Sequence, residues 1–380
     1  MEALGRRGAG RLRGRASRVI IFAALAVASA AYHALAFFAA LRKSAVGRAL
    51  SPAVSILKPV RGRDDRFLEA IRSHARQDYP EFEILFGTTN PADPARADIE
   101  RLASEYPHLS IRLIDVQTDA PNAKVGVLEK LAEHARFPVL LINDSDILVA
   151  SNYLQQVVAP LANEKVGLVT CLYRGSGGSL AARAEALGIA TEFAPSVLVA
   201  RQIGFNEFAM GSTLALRASD LKRIGGFHSI RDFLADDYQL GKQITALGLT
   251  VVLGGPVVET SLGSGSWKDV WKHQLRWSRT IRISRAAGYF GYAITVTLLW
   301  SALAAMAGYS LVAATAYLVR WIAGAFIAGA VLKDREALKR WWWMPARDAF
   351  GLAVWVAGTI GRDVEWRGMK MRIDSSGRIV

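Results

Sequence analysis

A single cysteine, Cys171, stands in 380 residues. An intramolecular disulfide framework and a cysteine-rich zinc site are both excluded. The chain also lacks a basic-aromatic module that would read nucleic acid, so nucleic acid is not an expected partner. No internal repeat and no long low-complexity tract breaks it up. What it has in excess is apolar and basic. Hydrophobic residues make up 52% of the chain and mean hydropathy is +0.20, which strains a purely soluble reading. With 47 Lys and Arg against 33 Asp and Glu, net charge is +14. Beside apolar spans, that excess suits anionic lipid headgroups first and phosphates second.

Hydropathy divides the chain. Residues 1–18 form a basic N-terminal segment with Arg6, Arg7, Arg11, Arg13, Arg15 and Arg18. Residues 19–41 contain no Asp, Glu, Lys or Arg, a length that predicts a transmembrane helix. A cleaved signal peptide ending near Ala28-Ser29-Ala30 is the competing reading, but the apolar run continues well past it. Over residues 50–265 short apolar runs alternate with amphipathic stretches. Strands are expected at 54–57, 82–86, 111–114, 138–142, 166–170 and 250–253. Helices are expected at 65–76, 96–106 and 127–135. Such alternation predicts an α/β fold, a mostly parallel sheet with helices on both faces.

Residues 266–285 then read as an interfacial amphipathic helix. Trp267, Val270, Trp271, Gln274 and Trp277 recur there at helical spacing. Residues 289–361 form a C-terminal membrane region. Its apolar runs are 289–307, 309–332 (interrupted by Arg320) and 349–360, the last short for a full span. Trp341-Trp342-Trp343 reads as an interfacial aromatic belt. Residues 362–380 are a polar tail.

Chemistry concentrates at a few acids and bases. The apolar run Pro138–Ile142 leads through Asn143 into Asp144-Ser145-Asp146. A buried strand delivers these acids to the C-terminal edge of a sheet, where α/β folds place ligands. Two hard oxygen ligands there suit a divalent cation held against a diphosphate; a turn or a helix cap is the plainer alternative. Asp236-Asp237 lies between apolar residues, so one carboxyl can be raised toward a general base's range. A helix N-terminus explains the pair equally well, and both roles can coexist. Arg276 suits a phosphate oxyanion, with Gln274 or His273 beside it and Trp277 placed to stack on a substrate. Lys58, after the first strand, and Lys124, in Asn122-Ala123-Lys124, are further phosphate candidates, although a lone loop lysine is usually just solvated.

In order along the chain, Ser55-Ile56-Leu57-Lys58-Pro59, Gln77-Asp78-Tyr79-Pro80, Asp144-Ser145-Asp146, Val166-Gly167-Leu168-Val169, Gly211-Ser212-Thr213, Ala235-Asp236-Asp237-Tyr238 and Arg276-Trp277 resemble the ceramide glucosyltransferase family. The resemblance covers roughly residues 50–285. Bacterial members that glycosylate hopanoid lipids look similar over Val166–Gly175. The resemblance implies a GT-A fold and an inverting transferase using a UDP-sugar with Mg²⁺ or Mn²⁺. It maps Asp146 onto the metal-binding acid, with Asp144 beside it, and Asp237 onto the catalytic base, with Asp236 beside it. Lys58, Asn90, Asp93, Lys124, Asp144, Gln274, Arg276 and Trp277 become donor-binding candidates.

Three positions depart from the family pattern. His273 begins the last motif where relatives carry Gln or Arg. Asn90 falls where the uridine-contacting acid is expected, with Asp93 nearby but offset. Val125-Gly126-Val127 follows Lys124 where relatives usually carry Asn. The implied acceptor is a membrane lipid hydroxyl, of ceramide or of a hopanoid with an N-acetylhexosamine donor. A polysaccharide synthase is disfavoured by only three or four spans, and an inactive sugar-nucleotide binder by intact Asp146, Asp237 and Arg276. UDP-sugars are cytosolic, so the catalytic unit is expected to face the cytoplasm of a bacterial inner membrane. The N-terminal arginines argue for the opposite orientation; the charged loop 333–340 argues for this one.

Overall fold

The computed structural model describes residues 2–42, 51–366 and 369–380, with side chains from residue 20 onward. The side chains of the six N-terminal arginines, and the start of the catalytic unit at residue 50, therefore lie outside what is described; the arginine backbone belongs to the helix Glu2–Ala40. Ten strands build the catalytic unit: β1 (Val54–Pro59), β2 (Phe82–Thr88), β3 (Ser110–Asp115), β4 (Val139–Ile142), β5 (Ile147–Leu148), β6 (Val166–Thr170), β7 (Tyr173–Ser176), β8 (Leu214–Arg217), β9 (Thr250–Leu253) and β10 (Val258–Ser261).

Seven strands make one sheet in the order β3-β2-β1-β4-β8-β6-β9. β8 runs antiparallel to both neighbours and the other pairs are parallel. β1, β4 and β6 are buried nearly throughout, which is why β4 and β6 read as near-continuous apolar runs rather than alternating ones, while β1 carries only Ser55 and Lys58 as polar residues. From β1 the chain moves outward to β2 and β3, then returns to β4 on the other side. The β1–β4 boundary is therefore a topological switch point. Register pairs Leu57 with Ile142, so Lys58 and Asp144 emerge at one edge. β8 pairs Leu214 with Ile142, which brings Gly211 to that same edge from the opposite direction. A small second sheet, β5-β10-β7, closes over it.

The expected helix at 127–135 runs instead over Ala123–His134. Asn122 starts it early: its Oδ1 accepts from the Lys124 and Val125 amides at 3.1 and 3.4 Å.

Among the described residues two helices are long and apolar enough to cross a membrane, Ile20–Ala40 and Ser310–Val331. The run at 289–307, expected as one straight span, is two helices, Ala286–Thr295 and Thr297–Met306, bent by 45°. The break is tolerated because its freed carbonyls find donors. Trp300 Nε1 donates to Ala293 O at 2.7 Å, and Thr297 Oγ1 to Thr295 O at 3.3 Å. Small residues, Ala26, Ala304, Ala313 and Ala316, let the spans approach closely. The helix Met344–Gly358 is too short to span and packs along the amphipathic helix Trp267–Ser284. That second helix opens with a capping box, Ser266 with Asp269. A last strand pair, β11 (Asp363–Trp366) and β12 (Met369–Arg372), follows the membrane region.

Candidate active site

The turn after β4 is held from beneath. Asn143 is fully buried; its amide donates to Ser212 O at 2.7 Å and Tyr153 Oη at 2.9 Å, and its Oδ1 lies 3.2 Å from His74 Nε2. Lys58, 0% exposed, donates to the Asp144 carbonyl at 3.2 Å. Lys58 thus braces the main chain that presents Asp144. Burial pulls its pKa down to about 7, against Asp146 and Asp144, which raise it.

Above that brace three carboxylates and a lysine converge. Lys124 Nζ lies 2.8 Å from Asp144 Oδ1 and 3.2 Å from Asp236 Oδ2. Burial opposes the lysine's charge, but Asp144, Asp236 and Asp237 outweigh it and raise its pKa. Asp237 lies in the first turn of the helix Asp236–Ala246. Its Oδ2 accepts from the Gly211 amide at 2.8 Å and its Oδ1 from the Tyr238 amide at 2.7 Å. A side-chain carbon on Gly211 would lie 3.4 Å from Asp237 Oδ2, 3.5 Å from Asp144 Oδ2 and 3.6 Å from Lys124 Nζ. The glycine marks the point where the three groups meet. Burial, then the Asp236 charge, pushes the Asp237 carboxyl up to about 6, with Lys124 working against the rise.

Asp146 sits one step along, where β5 meets β10. Thr260 Oγ1 donates to its Oδ2 at 2.5 Å. Burial, then Asp144, pushes this carboxyl up to about 6 as well. Among the described residues no cluster of three or more His, Cys, Asp or Glu is arranged to hold a metal ion. Asp144 and Asp146 offer two carboxylates, the number that Mg²⁺ usually takes from protein when substrate phosphates complete its shell. Burial and the neighbouring Asp144 charge both disfavour the Asp146 carboxylate, a cost that a divalent cation would offset.

Arg276 reaches the same field from the amphipathic helix. Burial lowers its pKa, while Asp144, Asp237, Asp236 and Glu185 act to raise it. It forms no ion pair with any of them; its guanidinium lies 5.9 Å from the centre of the Trp366 ring. Its neighbours on the helix face elsewhere. Gln274 Nε2 donates to Glu185 at 3.3 Å and its Oε1 accepts from Arg347 at 2.8 Å. His273 Nδ1 lies 2.7 Å from Glu185 Oε1. Trp277 packs between His273 and Phe193, and Trp267 and Trp271 pack on Phe350. The structure therefore groups Asp144, Asp146, Asp236, Asp237, Lys124 and Arg276 and puts Gln274 and Trp277 into the helix's own seating.

In the loop after β2, Asn90 is exposed and its Oδ1 accepts from the Ala92 amide at 3.0 Å. Asp93 is 4% exposed, and its carboxylate accepts from the Gly62 and Ala95 amides at 2.8 and 2.9 Å. It ties the loop after β1 to the loop after β2. Sequence reasoning overlooked Asn143 and Thr260. Asn143 carried a signal, a polar side chain ending a buried strand; Thr260 carried none.

A family model described as glycosyl transferase family 21 matches residues 19–379. The chain belongs to this family. It is a membrane glycosyltransferase with a GT-A fold. This family 21 member is 26% identical over 200 residues to ceramide glucosyltransferase 1 of Caenorhabditis elegans, covering 52% of this chain and 43% of the relative. It is 32% identical over 113 residues to the ceramide glucosyltransferase of Komagataella phaffii, covering 28% and 22%. The chain thus spans under half the length of these curated relatives. Among solved structures it is similar to a mannosyltransferase from Pyrobaculum calidifontis in complex with GDP-mannose and Mn²⁺. That match has a TM-score of 0.53 and 20% identity, and covers 89% of this chain and 99% of the other.

Proposed function

We propose that this family 21 enzyme transfers a hexose, glucose, from a UDP-sugar to the hydroxyl of a membrane lipid such as ceramide, with inversion at the anomeric carbon. One observation carries the reading: the Arg276 guanidinium, on an amphipathic helix and over the Trp366 ring, lies in the field of Asp144, Asp237 and Asp236 with no ion pair to them among the described residues. A diphosphate is the ligand class that satisfies both a guanidinium and two metal-seeking carboxylates.

In this reading Asp146 and Asp144 hold the divalent ion, Mg²⁺ or Mn²⁺. When bound, that ion offsets charge on the departing UDP. Arg276 adds positive charge on the membrane side. Asp237 takes the proton of the lipid hydroxyl as its oxygen attacks the anomeric carbon through an oxocarbenium-like transition state. The Gly211 and Tyr238 amides hold the Asp237 carboxylate in place for that step. Lys124 ties Asp144 to Asp236 through one ammonium. The acceptor enters laterally, so its hydroxyl meets the site at the headgroup plane. The catalytic unit faces the cytoplasm, where UDP-sugars are available.

The test is mass spectrometry of lipids from cells with and without the gene. Loss of a hexosyl-ceramide supports the reading. A lost amino-sugar hopanoid would reassign donor and acceptor together. An unchanged glycolipid profile would sink it.

A further inference from the structure

The polar tail is built into the site. The loop leading to Asp236-Asp237 is paired on its outer side by the end of the chain. The Leu234 amide donates to Gly377 O at 3.3 Å, the Ile379 amide donates to Asp232 O at 2.8 Å, and Phe233 bridges to Arg378. The Arg378 guanidinium lies 5.2 Å from the centre of the Phe233 ring. Beneath these bonds Leu234, Val364 and Ile373 form a small buried cluster, and Ile283 of the amphipathic helix packs against it.

β11 holds that helix. Lys272 Nζ lies 2.8 Å from Glu365 Oε1, Arg279 Nε donates to Ile360 O at 3.1 Å, and Arg279 and Arg282 also reach the Asp363 and Gly361 carbonyls. Trp366, next along β11, lies under Arg276. An aromatic face holds a guanidinium without neutralising it. An acid there would consume the charge that a diphosphate needs.

We propose that β11 and residues 369–380 form a strap that sets Asp237 and Arg276 against each other, with Trp366 as the positioning residue for Arg276. The inference rests on the assignment of Arg276 to the donor diphosphate. Its physical logic is that Asp237 lies on a helix anchored to the sheet, whereas Arg276 lies on a helix anchored to the membrane. Of the contacts described, those from the C-terminal strap touch both the Asp237 loop and the Arg276 helix.

The test uses the full-length enzyme in membranes or detergent, with UDP and Mn²⁺ as the binding probe and sugar transfer as the activity. Trp366→Ala should lower turnover and weaken UDP binding by about tenfold, the scale of a partly desolvated cation–π contact. Trp366→Phe, which keeps an aromatic face, should restore most of both. In an Arg276→Ala background, Trp366→Ala should add nothing further, because its effect runs through Arg276. Additive losses in that double variant, or wild-type UDP binding and turnover in Trp366→Ala, would overturn the strap. Wild-type turnover in Arg276→Ala would instead remove the donor-site assignment beneath it.

Discussion

Lys124 Nζ lies 2.8 Å from Asp144 Oδ1, an ion pair joining the helix after β3 to the turn after β4. The same ammonium reaches Asp236, so one lysine holds Asp144 beside Asp236. Replacing it with Met leaves Asp144 and Asp236 facing each other without a counter-charge. Lys124→Met should therefore lower kcat by about 100-fold, on the scale of a lost buried ion pair, with the protein still folded in detergent. Turnover within threefold of wild type, roughly 0.6 kcal/mol, would remove the lysine from the machinery.

Asp237 must be ionised to accept a proton, and its carboxyl is pushed up to about 6. The sign follows directly. Below about pH 6 the base carries a proton and turnover falls; above it turnover levels off. The profile of kcat/KM against pH should show this acidic limb, and Asp237→Asn should abolish it along with about 100-fold or more of the rate. Lys124 lowers the Asp237 pKa, so any residual activity of Lys124→Met should show the limb displaced to higher pH. A profile flat from pH 5 to 8, a window chosen around the about-6 midpoint, would remove Asp237 as the base.

In the proposed reading Asp146 holds the divalent ion. Chelation should stop transfer, and added Mn²⁺ or Mg²⁺ should restore it. Asp146→Asn removes one hard anionic ligand and should raise the metal concentration for half-maximal activity by about tenfold or more. Mn²⁺ binding measured directly by electron paramagnetic resonance provides a second readout. An unchanged metal requirement in the variant would refute the assignment.

Arg320, 2% exposed, pairs with Asp348 at 2.8 Å within the membrane region, and Tyr317 Oη donates to the same carboxylate at 3.0 Å. Arg320→Leu strands the acid and should cost about 3–5 kcal/mol, read as a lower unfolding temperature in detergent. Arg320→Leu with Asp348→Leu removes both charges and should recover most of that loss. A single variant as stable as wild type would contradict the pairing.

Much of the scaffold was legible in the chain. Near-continuous apolar runs announced β4 and β6, because a strand covered on both faces has no polar side to show. Asp144-Ser145-Asp146 could be placed at a strand's end for the same reason. The site was legible in its acids and less so in its partners. Asp93 is a loop tie rather than an open ligand, as its bonds to Gly62 and Ala95 make plain. Gln274 shares a motif with Arg276 but is engaged by Glu185 and Arg347, since side chains two apart on a helix point to different sides. The bend at Val296 leaves no hydropathy signal, because the residues around it are as apolar as an intact span.

The sequence by itself determined the alternation of strand and helix, the apolar spans and which residue types stand at the strand ends, since each of these depends on local periodicity. Tertiary structure alone decided the company those residues keep. Lys124 meets Asp144 and Asp236, Gly211 meets Asp237, and Trp366 meets Arg276 only because sheet register and the return of the C-terminal end bring distant segments together. Periodicity reports the face a side chain occupies; which partner waits on that face is set by how the chain is threaded.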